Sequence, residues 1–70
     1  MADNSEKTAQ LKIHMGNAAF DGGDGAPELR RILIEIADKL GEDSEIVTHG
    51  GKMKLRDING NIVGKLWISD

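Results

Sequence analysis

The chain has 70 residues, 9 of them basic and 12 acidic, with 9 glycines, one proline and no cysteine. That length gives a single domain with a thin stability margin, and the lack of cysteine excludes disulfides and thiolate metal sites. No run approaches the ~20 apolar residues of a membrane span, the first ten residues lack a signal-peptide core, and a net charge of −3 gives no global reason for nucleic-acid binding. The setting this implies is cytoplasmic.

Residues 1–9 read as a disordered polar tail and residues 10–70 as one domain. From Gln10 to Met15 the residues alternate, with Leu11, Ile13 and Met15 on one face and Lys12 and His14 on the other, the period of a half-buried strand. A glycine-rich loop follows, in which Phe20 is an apolar plug for one end of the core and Asp21-Gly22-Gly23-Asp24-Gly25 breaks any regular element. Over Ala26 to Leu40, the residues Leu29, Ile32, Leu33, Ile36, Ala37 and Leu40 keep the spacing of one helical face. Pro27 suits the first turn, Asp24 is the expected cap, Gly41 the expected left-handed terminator, and Glu35 with Lys39 an i, i+4 pair. A short strand is possible at 45–48. Two alternating runs, Lys52 to Ile58 and Ile62 to Ile68, flank Asn59-Gly60, a strong hairpin signal.

The order strand, helix, strand, strand predicts an α+β fold, in which a three-stranded antiparallel sheet carries one helix on one face. The first strand lies antiparallel to the last. The expected core is Leu11, Ile13, Leu29, Ile32, Leu33, Ile36, Leu40, Met53, Leu55 and Leu66.

The second sheet face is then uncovered, and function is sought there. With a two-residue turn at Asn59-Gly60, Lys52 pairs with Trp67, Lys54 with Lys65, Arg56 with Val63 and Asp57 with Ile62. The open face then carries Lys52, Lys54, Arg56, Val63, Lys65 and Trp67, joined by Lys12 and His14 of the first strand. In the rival register, Asp57-Ile58-Asn59-Gly60 forms a type I turn followed by a bulge, and the last strand slips by one residue. Trp67 and Val63 then enter the core and Leu66 faces out. The first register is favoured because the second buries a lysine.

Two binding functions compete for this face. One is a protein partner, acidic if heterologous, or a second copy of the chain, anchored by Trp67 and Val63. The alternative is single-stranded nucleic acid, with bases stacked on Trp67 and phosphates on the lysines. The last strand could also offer an edge for strand addition. No catalytic constellation is present: Ser5, Ser44 and Ser69 have no partnering motif. The loop before the helix has neither a P-loop nor a calcium pattern, and His14 and His49 lack metal-ligand spacing. No cofactor, metal, membrane or small-molecule substrate is expected.

Three stretches carry a resemblance: Met15-Gly16-Asn17-Ala18-Ala19-Phe20, the helix from Glu28 to Leu40, and Leu55-Arg56-Asp57-Ile58-Asn59-Gly60-Asn61-Ile62-Val63-Gly64. Together they resemble a family of small, uncharacterised bacteriophage and prophage proteins, over most of residues 10–64. The resemblance implies a phage or prophage origin and a bacterial cytosol. It supplies no activity and no functional residues, and the segment around Trp67 lies outside it.

Overall fold

The computed structural model describes residues 7–43, 45 and 50–69. Three strands, β1 (Thr8–Ile13), β2 (Lys52–Arg56) and β3 (Ile62–Ser69), form one antiparallel sheet in the order β1-β3-β2, and α1 (Ala26–Glu42) covers one face. This is the α+β arrangement expected. The possible strand at 45–48 lies outside the described residues, apart from Glu45.

Several boundaries differ from expectation. β1 begins at Thr8, inside the segment read as tail, and ends at Ile13; Met15 lies beyond it and is exposed. Asp24 does not cap α1: the cap position is Gly25, at φ 82, with no side-chain hydrogen bond, and Asp24 sits one residue earlier in a 3-10 turn. Gly41 does not end the helix, which runs to Glu42 and closes on Asp43, whose N–H donates to the Lys39 carbonyl. Glu35 approaches Arg31 at 3.7 Å, one turn before it in α1.

Because Gly41 is helical and a Cβ there would meet nothing within 4 Å, Gly41→Ala removes unfolded-state entropy without strain. It should stabilise the fold by about 0.4–1 kcal/mol, raising the thermal midpoint by a few degrees. A lowered midpoint would contradict a helical Gly41.

The core comprises Phe20, Ile32, Ile36, Met53, Leu55, Val63 and Leu66, with Ile13, Ala19 and Leu40 packed at its margin. Ile68 is also buried, and Leu29 is half-buried. Two expected core residues, Leu11 and Leu33, are instead 45% and 42% exposed. The cause is where the helix sits. A polar clamp holds its first turns to the hairpin side of the sheet. Glu28 is 8% exposed and accepts two hydrogen bonds from Arg31, at 2.9 and 3.0 Å. It also accepts one from the Ile58 N–H at 2.8 Å. Arg31 donates onward to the Arg56 carbonyl at the end of β2. Held there, α1 leaves Ala9 and Leu11 exposed on the helix side of β1, while Ile13 packs at the core margin.

Hairpin register and its bulge

The two candidate registers are both present, one at each end of the hairpin. At the tip, Gly60 N–H donates to the Asp57 carbonyl and Asp57 N–H to that of Asn61. Gly60 at φ 89 takes the left-handed conformation that ends a type I turn with a bulge. Arg56 therefore pairs with Ile62. From Leu55 onward the pairing is Leu55 with Gly64, Lys54 with Lys65, Met53 with Leu66 and Lys52 with Trp67, as favoured from the alternation. A β-bulge between Leu55 and Arg56 absorbs the one-residue difference, leaving Val63 as the extra residue.

Two predicted orientations change as a result. Val63, expected on the open face, is 5% exposed and belongs to the core; Ile62, expected toward the helix, is 54% exposed. β3 is the central strand and has no free edge; the edges are β1 and β2.

Candidate functional site

Cross-strand partners share a face, so the pairings lay out the open face in rows. Gln10, Trp67 and Lys52 form one row, and Lys12, Lys65 and Lys54 the next. Arg56 and Ile62 form a third row nearer the turn. His14, just beyond β1, donates its N–H to the Val63 carbonyl at 2.7 Å. Lys12, His14, Lys54 and Lys65, together with Ile62, Val63 and Gly64, line an open depression of about 460 Å³.

The electrostatics are one-sided. The segments TAQLKI, KMKLR and IVGKLWIS contain five basic residues and no Asp or Glu. Alternation sends all five to the open face. The central row sets three lysines side by side across strands ~4.8 Å apart, an arrangement of like charges that works against sheet stability. Acidic residues are found on α1 and in the loops. Lys65 places its ammonium 4.9 Å from the centroid of the half-buried Trp67 ring, within cation–π range. Arg56 donates to the Gly60 carbonyl at 3.0 Å, which holds its guanidinium near the turn.

Of the residues expected at this site, Trp67, Lys52, Lys54, Arg56, Lys65 and Lys12 share the face, and His14 lies at its margin. Val63 leaves the face for the core, and Ile62 replaces it as the aliphatic residue. Trp67 lies on the open side, half-buried, because the lower part of the hairpin keeps the favoured register.

A second polar centre escaped the sequence reading. Asp57 is 4% exposed. Its carboxylate accepts from the N–H groups of Asn59 and Asn61, both at 2.9 Å, and from the side-chain amides of Asn61 and Asn17, at 3.2 and 2.8 Å. Asn17 in turn caps the 3-10 turn Ala18–Phe20 by accepting from the Ala19 N–H. The Asp57-x-Asn-Gly-Asn pattern signals the turn, but nothing local signals its link to Asn17. The centre is structural: every donor it holds belongs to the fold.

The chain matches no family model, no curated protein and no solved structure. Among the described residues no helix is long and apolar enough to cross a membrane. No group of three or more His, Cys, Asp or Glu side chains among them could hold a metal ion. His49 lies outside the described residues.

Proposed function

We propose that the chain is a non-enzymatic binding module that docks an acidic protein segment on its open sheet face. The observation that carries this reading is the segregation of charge: five basic residues and no acidic one on the three strands, all on the uncovered side around Trp67. Ile62 and Trp67 supply the apolar contacts and the lysine rows supply charge complementarity, which steers encounter and rejects wrong partners. Face-to-face association of two copies would bring like charges together, so a heterologous acidic partner fits better than a second copy. The resemblance to phage and prophage proteins suggests a bacterial cytosol as the setting.

Single-stranded nucleic acid fits less well. Sheet platforms stack two or three bases on aromatic side chains. Here the one aromatic of the face is half-buried and already engaged by Lys65.

Trp67 is the only tryptophan, so its emission reports directly on the face. Titration with a peptide alternating Glu and Leu should shift or quench it, with binding still measurable at 200 mM salt through the apolar contacts. A Lys12→Glu, Lys65→Glu variant should lose that response. Oligothymidylate held by about four phosphate contacts would weaken about 50-fold between 50 and 200 mM salt. Tighter binding of the oligonucleotide than of the peptide at 200 mM would overturn the proposal in favour of nucleic acid.

A further inference from the structure

Among the described residues no strand pairs with the outer edge of β1, and the pattern of that edge is complementary to itself. His14 N–H donates to the Val63 carbonyl. Because bonded and non-bonded pairs alternate along an antiparallel ladder, the even-numbered residues of β1 bond to β3. The N–H and C=O groups of Ala9, Leu11 and Ile13 therefore point away from the sheet. On the helix side of the same edge, Leu11 and Leu33 are 45% and 42% exposed. A groove lined by Ala9, Ile36, Leu40, Leu66 and Ile68, and also by Lys7 and Thr8, runs between β1 and α1.

We infer that two copies of the chain join through β1, antiparallel, with Leu11 opposite Leu11 of the second copy, to form one six-stranded sheet. In that register Ala9 faces Ile13 of the second copy and Gln10 faces Lys12. All the outward backbone groups of Ala9, Leu11 and Ile13 are then paired, and Leu11 meets Leu11 on the helix side. No lysine opposes a lysine across the new pairing. Shifting the register to centre on Lys12 would set Lys12 against Lys12, which like-charge repulsion disfavours.

The other edge argues for the same occupant by contrast. β2 carries Lys52, Lys54 and Arg56 among its five residues, the charged pattern that keeps an edge from pairing. β1 has one lysine in six and no proline. The two-fold axis of an antiparallel join is perpendicular to the sheet, so both helices lie on one side and both basic faces on the other. The inference does not depend on what the basic face binds, since the join uses the edge and not the face.

Amide exchange read at high and low protein concentration tests this on the unmodified chain. Ala9, Leu11 and Ile13 should be protected at high concentration and lose that protection on dilution. Gln10, Lys12 and His14 should stay protected at both. Sedimentation should give twice the 7.6 kDa chain mass at high concentration. Leu11→Pro removes only an outward-facing N–H, and Leu11→Lys adds a charge at the join; each should sediment as a monomer with the sheet's circular dichroism retained. If the proline variant does not fold, the lysine variant gives the readout. A wild-type chain that stays monomeric at millimolar concentration overturns the inference. So does a dimer in which Ala9, Leu11 and Ile13 exchange freely, or one that Leu11→Lys leaves intact.

Discussion

Replacing Gly64 with alanine should disrupt the sheet more than any other single-methyl change in the strands. A Cβ at Gly64 would collide with the Lys12 carbonyl oxygen and lie 2.9 Å from Ile13 Cα. Both obstacles are backbone, so no side-chain rotation relieves them. A side chain at Gly64 would point into the backbone of β1, so the close approach of the two strands depends on its absence. Overpacking typically costs ~1–3 kcal/mol and occasionally more. With rigid backbone as the obstacle, a loss at or above the top of that range is expected. For a domain of this size each kcal/mol lowers the midpoint by roughly 4–8 °C, so a fall of about 12–24 °C should appear in a thermal melt. Gly22→Ala is the control: its Cβ meets nothing within 4 Å, and the midpoint should move little. Equal melts for the two variants would mean that β1 and β3 do not approach as described.

Gly64 also shows where sequence reading reaches its limit. Alternation located all three strands and placed Met53, Leu55 and Leu66 in the core, because period-2 burial is local information. The helix was legible for the same reason, through Ile32 and Ile36. The bulge was not. The type I turn at Asp57–Gly60 and the burial of Leu66 each satisfied one register and violated the other. A single extra residue reconciles them, placing Val63 in the core and Ile62 outside. Weighing the registers as exclusive alternatives misassigned those two residues and left the basic residues correctly placed, since Lys52, Lys54 and Lys65 lie on the side of the bulge where the favoured register holds.

Leu11 and Leu33 fail for a different reason. Their spacing is right for burial, but the side of the sheet over which a helix settles is a tertiary property. Here it is set by Glu28 and Arg31, which tie the first turns of α1 to Ile58 and Arg56. Glu28 and Asp57 read as a first-turn charge and a turn residue, and only their partners 30 and 40 positions away in sequence, Ile58 and Asn17, show that Glu28 fastens the helix to the hairpin and Asp57 the turn to the loop before the helix. The apolar edge that results is also what makes β1 suited to a second copy.

The same two carboxylates should dominate the response to acid. Burial alone would raise the pKa of Asp57, but the hydrogen bonds from Asn61, Asn17 and Asn59 outweigh it and hold the carboxyl below its ordinary value. Glu28 is lowered mainly by its hydrogen bonds from Arg31, reinforced by the Ile58 N–H and opposed by burial. A carboxylate whose folded pKa lies below its unfolded one contributes stability above the unfolded value, and that stability is lost as pH falls through the folded value. The thermal midpoint of the wild type should therefore be flat above about pH 5 and fall progressively below it. Asp57→Asn replaces one acceptor oxygen with an amide that faces the donors of Asn17 and Asn61, and it removes the charge. Its midpoint at pH 7 should be several degrees lower and its acid slope shallower, the remaining slope belonging to Glu28. Loosening of the Asn17 loop should also speed exchange at the Ala19 amide. A variant that melts with the wild type at pH 7, or a wild type indifferent to pH between 7 and 2.5, would remove Asp57 from the role of fastening the turn to the loop.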